Sequence, residues 1–281
     1  MIVAVSRDDS VLSGGISSGR LIAHEKVAVE PFAWLSPGGE WKAIDCDEGH
    51  PQACKTFDRE YLSKPQVYTV VSADGRGAKV SVDEMELDDE CFGYGGLGVF
   101  SGAPISYADV AASSTEFITI GSPATRLPDA EAEPIRKAFA EAAGEKLDAT
   151  VEMYQSASTE KIDPTLELRI YSVQLEGQKL LIVQRAFQDW ANKPEYHDPQ
   201  TWHFQLDSVF AVGRMEQGRF VLLYWQKMED GNQQFLGLIR LKSGKDFLIE
   251  TVSDPETQFF RVYGIRDGKI ALVFQGGGGG C

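Results

Sequence analysis

Residues Gln188 to His203 concentrate side chains that could do chemistry: Trp190, Tyr196, His197, Asp198, Trp202 and His203 fall within one polar stretch. His197, Asp198 and His203 could bind a metal or transfer protons, whereas Trp190, Tyr196 and Trp202 could stack on a sugar or a peptide. A long polar connection between two strong strand signals is where binding function usually sits. The expectation is a contact surface for a protein or a glycan. The alternative is a hydrolase or carbohydrate-active enzyme that uses His197, Asp198 or a carboxylate pair the sequence does not locate.

The four cysteines define a second constellation. Cys46 and Cys54 bracket the loop Asp47-Glu-Gly-His-Pro-Gln-Ala53, Cys91 lies farther on, and Cys281 follows five glycines at the end. In an oxidising compartment Cys46–Cys54 and Cys91–Cys281 give two disulfides, each limiting the freedom of the unfolded chain. In a reducing one, Cys46, His50, Cys54 and Cys91 are a zinc set of mixed thiolate and imidazole ligands, although seven residues between the first two cysteines exceed the usual spacing. That set makes a metal-stabilised structural protein the third functional reading. Asp45, Asp47 and Glu48 flank Cys46, and Asp83, Glu84, Glu86, Asp88, Asp89 and Glu90 run into Cys91, so convergence of the cysteines would also gather carboxylates for calcium. The same carboxylates raise the Cys91 thiol pKa and make it a poor nucleophile. No cofactor is otherwise expected.

Two further strings match catalytic patterns in letter only. Gly15-Ile16-Ser17-Ser18-Gly19 has the form of a nucleophile elbow, which works by exposing a serine on a sharp strand-to-helix turn, yet no helix pattern follows it. Gly93-Tyr94-Gly95-Gly96-Leu97-Gly98 has the form of a dinucleotide fingerprint, which needs a helix N-terminus for the pyrophosphate, whereas Pro104 and a serine-rich segment follow. Loop or bulged strand is the expectation for the second string, and loop for the first. The tail Gly276 to Gly280 resembles in outline the ends of ubiquitin-like modifiers, but the terminal cysteine departs from that pattern. It also lacks the three residues a prenylation box needs after its cysteine.

Composition limits the partners. With 27 Lys and Arg against 42 Asp and Glu, the net charge of -15 repels phosphate backbones and anionic lipid, which excludes nucleic acid as an expected partner. No apolar run has the length of a membrane-spanning helix, so no membrane insertion is expected. The cysteine pattern favours an extracytoplasmic setting; the absence of a signal-peptide pattern favours the cytoplasm if the visible N-terminus is the true start. Oligomeric state is open.

The elements that must position these residues are strands. From Thr165 onward, eight segments alternate with turn signals: 166–175, 179–187, 202–212, 220–227, 234–241, 247–252, 259–265 and 270–274. Glu176-Gly177, Gln217-Gly218, Ser243-Gly244 and Asp267-Gly268 supply the residues that hairpin turns require. Leu166, Leu168 and Ile170 share one face while Val173 and Leu175 have changed phase, as at a bulge. Phe220 to Trp225 is apolar on both faces, which signals burial on both sides. The fold class is therefore mainly β: an antiparallel meander closed as a barrel, sandwich or propeller-like assembly. The turn spacing over 207–241 and 247–274 resembles propeller blades, but no repeat fixes a period. The first half shows strand patterns at 2–5, 21–29, 41–44, 67–72, 78–82 and 116–120, with Asp74-Gly-Arg-Gly77 turning between two of them. One short helix is expected near 134–143, with Pro134 in its first turn and Gly144 ending it. The polar flank 123–133 divides a β-rich lobe, 1–125, from a helix and β-meander, 126–281; a single continuous domain is the alternative.

Overall fold

Strand propensity in the first half is patchy, yet in the computed structural model seven strands form there: β1 (Ile2–Arg7), β2 (Lys26–Leu35), β3 (Trp41–Ala43), β4 (Gln66–Val70), β5 (Lys79–Asp88), β6 (Gly93–Ser101) and β7 (Val110–Ser113). The structure describes residues 1–7, 23–24, 26–44, 66–70, 78–88, 93–103, 110–113, 118–120, 124–147, 150–153, 159–161, 168–185, 202–203, 208–228, 232–253 and 258–276. All pairings are antiparallel. The series β1-β7-β4-β5-β6-β2 returns to its start because β1 bonds both β7 and β2, and β3 extends β2 outward. Alternation then decides the interior, since every second side chain points inward. Val3, Val5, Val27, Val29, Tyr68, Val70, Val80, Val82 and Phe100 fill it. The glycine-rich string before Gly98 is part of strand β6, not a phosphate loop. A Cβ on Gly98 would lie 2.5 Å from Val80 Cγ1 and 3.1 Å from Val29 Cγ2, so glycine is what lets these valines close over the strand.

A register shift between Ile2 and Val3 leaves Phe32 as the extra residue of β2. The bulge helps to turn Phe32, Ala33 and Leu35 outward, onto a second sheet. That middle sheet has the order β20-β19-β18-β17-β8, from β8 (Ile118–Ile120), β17 (Asn232–Leu241), β18 (Asp246–Ser253), β19 (Gln258–Arg266) and β20 (Lys269–Gly276). An outer sheet has the order β16-β15-β13-β12-β9, from β9 (Thr125–Arg126), β12 (Arg169–Leu175), β13 (Gln178–Arg185), β15 (Ser208–Glu216) and β16 (Arg219–Met228). A small third sheet joins β10 (Thr150–Met153), β11 (Thr159–Lys161) and β14 (Trp202–His203).

The two five-stranded sheets pack face to face as a sandwich. Tyr171, Val173, Leu175, Ile182, Phe210 and Val212 of the outer sheet meet Phe235, Leu238, Leu248 and Tyr263 of the middle one. The outer sheet's other face receives the helix α1 (Asp129–Ala143), through Ala132, Ala138, Phe139 and Ala143 against Ile170, Leu181, Val183, Val209 and Phe220. The layers thus run helix, outer sheet, middle sheet, ring of strands. Both five-stranded sheets are covered on both faces, which is why β13 is apolar at successive positions rather than alternating.

Two local expectations need correction. The phase change at Val173 is not a bulge: β12 and β13 pair without irregularity from Arg169–Gln184 to Leu175–Gln178. Leu168 and Ile170 face the helix while Tyr171, Val173 and Leu175 face the middle sheet, so both phases are apolar. The helix begins at Asp129, and Pro134 lies inside it rather than in its first turn. Asp129 and Glu131 favour the early start by placing negative charge at the N-terminal end of the dipole. Arg136 then ties the first turn down, donating to Asp129 Oδ1 at 2.7 Å and to the Leu168 carbonyl at 2.8 Å. Gly144 ends the helix with φ of 56° and its N–H on the Ala140 carbonyl. No helix among the described residues is long and apolar enough to cross a membrane.

Candidate functional site

Hairpin tips gather at one end of the stack. Two of them have the same build, a three-residue loop closing on a glycine. In β2–β3, Ser36 and Glu40 pair around Gly39 (φ 85°); in β17–β18, Leu241 and Lys245 pair around Gly244 (φ 91°). The tips touch: Lys245 Nζ donates to the Gly38 carbonyl at 2.7 Å. A third tip, Glu176-Gly177 between β12 and β13, is bound to them through Asp246. This carboxylate is fully buried, accepts Arg240 Nε at 2.5 Å and Nη2 at 2.6 Å, and accepts the Glu176 N–H at 2.6 Å. The paired carboxylate holds the Arg240 guanidinium above its ordinary pKa. One residue thereby fixes the outer sheet's tip to the middle sheet.

Between these tips lies a groove of about 850 Å³. Glu40, Glu176, Lys245 and Arg266 supply charges of both signs, and Trp41 and Phe247 supply aromatic surface. Trp41 is held rigidly: Phe32 lies parallel to it at 6.4 Å, Phe247 meets it edge-on at 5.4 Å and Phe274 lies at 5.8 Å. Such a groove can hydrogen-bond hydroxyls and amides while an apolar face packs on its wall.

The opposite end carries the roots of the 188–203 stretch, since β13 ends at Arg185 and β15 begins at Ser208. Buried glutamines pin those roots across the sandwich. Gln184 Oε1 accepts the Phe235 N–H at 3.0 Å, and Gln233 Nε2 donates to the Ser208 carbonyl and hydroxyl, both at 3.2 Å. Toward the same end lies a buried carboxyl, Glu250, whose register partners are Phe235 and Arg261. Tyr263 Oη lies 2.5 Å from Glu250 Oε2, while Glu250 Oε1 and Arg261 Nη1 are buried without a partner. Desolvation pushes the Glu250 carboxyl up to about 8, against the opposing pull of Tyr263 and Arg261. Burial and the adjacent carboxyl likewise raise Tyr263, and burial raises Tyr224.

Of the residues expected to bind, Trp190, Tyr196, His197 and Asp198 lie outside the described residues. Trp202 and His203 form β14, pairing with Met153 and Glu152. The cysteine set Cys46, Cys54, Cys91 and Cys281, with His50, and the string 15–19 also lie outside them. Asp83, Glu84, Glu86 and Asp88 belong to strand β5. Among the described residues, no three His, Cys, Asp or Glu side chains are placed to hold a metal ion. Sequence reasoning missed the groove because its charges come from four separate tips; the turn signals at Glu176-Gly177 and Ser243-Gly244 located two of them. It missed Glu250 because a lone glutamate in an apolar strand, Phe247-Leu-Ile-Glu-Thr-Val252, has no local mark of its cross-sheet partners. Comparison with family models, curated proteins and solved structures returned no match.

Proposed function

We propose that this chain is a non-enzymatic recognition protein that uses a β scaffold to bind a glycan or a protein segment. The observation that carries the reading is the groove: charges of both signs beside a braced aromatic wall, on hairpin tips tied together before any ligand arrives. Preorganisation of this kind lowers the ordering cost of binding. Hydroxyls or backbone amides match Glu40, Glu176, Lys245 and Arg266, and a sugar face or apolar side chain matches Trp41. The 188–203 stretch is a second contact surface in this reading, through Trp190, Tyr196, His197, Asp198, Trp202 and His203.

The test is calorimetric titration with oligosaccharide and peptide panels, repeated on Arg266→Ala and Glu176→Ala. Binding weakened about tenfold or more, ~1.4 kcal/mol, in both variants supports the groove. Binding that survives both but is lost in Trp190→Ala would move the site to the 188–203 stretch. One observation favours glycoside hydrolysis as a second reading, namely two carboxylates, Glu40 and Glu176, on the same groove. Release of reducing ends that disappears in Glu40→Gln or Glu176→Gln would establish that reading instead.

A further inference from the structure

We propose that Glu250, Tyr263, Tyr224 and Gln226 form a proton-sensitive clasp between the two five-stranded sheets, latched when the Glu250 carboxyl is neutral and reset when it ionises. Geometry alone points to the neutral form. Glu250 is fully buried, its Oε1 has no donor, and the neighbouring cation does not supply one. Arg261 is engaged elsewhere: its Nε donates to Gln275 Oε1 at 3.0 Å and its guanidinium lies 5.0 Å from the Phe259 ring centre. An ionised Glu250 would therefore leave a buried carboxylate oxygen unpaired, a costly arrangement.

Counting protons gives the two states. With Glu250 neutral, its O–H donates to Tyr263 Oη across 2.5 Å, and Tyr263 donates onward to Gln226 Oε1 at 3.4 Å, which also accepts Tyr224 Oη at 2.8 Å. On ionisation the proton leaves to solvent, Tyr263 turns its single proton back to Glu250, and Gln226 loses that donor. Arg261 Nη1, unpartnered in the latched form, is the group drawn toward Glu250 Oε1. Each contact that changes crosses between the sheets or lies at their margin: Tyr224 and Gln226 belong to β16 of the outer sheet, Glu250 and Tyr263 to β18 and β19 of the middle one.

Few other groups can interfere. β17 presents Phe235 to Glu250, and β15 presents Phe210, stacked on Tyr263 at 5.2 Å. β19 presents Arg261 and Tyr263, β16 presents Tyr224 and Gln226, and β20 places Gln275 beside Arg261. Arg185 and Lys227 fall in register with Val209, whose side chain faces the helix, so they belong to the outer sheet's other face.

The test is a pH titration of the full chain from 4 to 10, following the Glu250 side-chain carboxyl carbon and the Gln226 side-chain amide by NMR, in wild type, Glu250→Gln and Tyr263→Phe. Expected is a carboxyl step near pH 8, matched by a Gln226 step that vanishes in Glu250→Gln. In Tyr263→Phe the carboxyl still titrates and Gln226 no longer follows. A carboxyl midpoint at ordinary glutamate values, or a Gln226 step that survives Glu250→Gln, would overturn the clasp. The wild-type carboxyl titration decides the first point even if a variant fails to fold.

Discussion

The two ends of the sandwich are held by different chemistry. At the groove end, the contact between sheets is charged and complete: Asp246 meets Arg240 with two hydrogen bonds and a backbone N–H with a third. Toward the other end the contacts are neutral amides and a carboxyl left with an unpartnered oxygen. A saturated ion pair holds its geometry over a wide pH range, whereas a half-satisfied buried acid is sensitive to protons. One end is thus suited to present a fixed surface, and the other to change with conditions.

The largest expected effect sharpens this contrast. The folded-state pKa of Glu250, about 8, lies above its unfolded value of 4.5, so the native state holds the proton more tightly. The stability associated with that proton is fully present below pH 4.5 and is lost as pH rises to about 8, a change on the order of 4 kcal/mol across the window. Glu250→Gln keeps an acceptor for Tyr263 and removes the ionisation. Denaturant unfolding at a series of pH values should show this variant gaining on wild type as pH rises from 5 to 9, and an unchanged difference would contradict it.

At the groove end, Asp246→Ala leaves Arg240 and the Glu176 N–H without their partner. Its expected cost is about 3 kcal/mol, measured by urea unfolding, because removing one member of a well-desolvated pair strands the other. A loss under 1 kcal/mol would mean that the tips do not depend on that carboxylate. The neutral pins come next: Gln184→Leu removes the acceptor of the Phe235 N–H and should cost ~1–3 kcal/mol, with the lost hydrogen-exchange protection centred on Phe235. The smallest effect belongs to Lys245→Ala, whose contact with the Gly38 carbonyl is exposed. It should lower stability by less than ~1 kcal/mol, and a larger loss would show that the two matched tips support each other more than their surface contact suggests.

Much of this scaffold was legible in the residues. The turn pairs Glu176-Gly177, Gln217-Gly218 and Asp267-Gly268 adopt the positive φ angles expected of them. The apolar run Phe220 to Trp225 lies in a strand flanked on one side by the helix and on the other by the middle sheet. Pattern failed where a strand lacked apolar alternation: β6 reads as a glycine loop because its small residues leave room for valines on β2 and β5, a cross-strand fact. It also failed at β12, where two buried faces imitate a bulge. The groove and Glu250 were illegible for one reason. Their partners lie tens of residues apart, 70 between Glu176 and Asp246 and 37 between Gln226 and Tyr263, and only the stacking of sheets brings them together.

The most direct measurement is residue-resolved hydrogen exchange of the wild-type chain at pH 6 and pH 9, corrected for intrinsic rates. If the ends differ as described, protection drops at pH 9 around Gln226, Glu250 and Tyr263 and stays constant at Ser36–Glu40, Glu176 and Leu241–Asp246. Equal loss at both ends, or a loss confined to the hairpin tips, would contradict the division of the sandwich into a fixed end and a proton-responsive one.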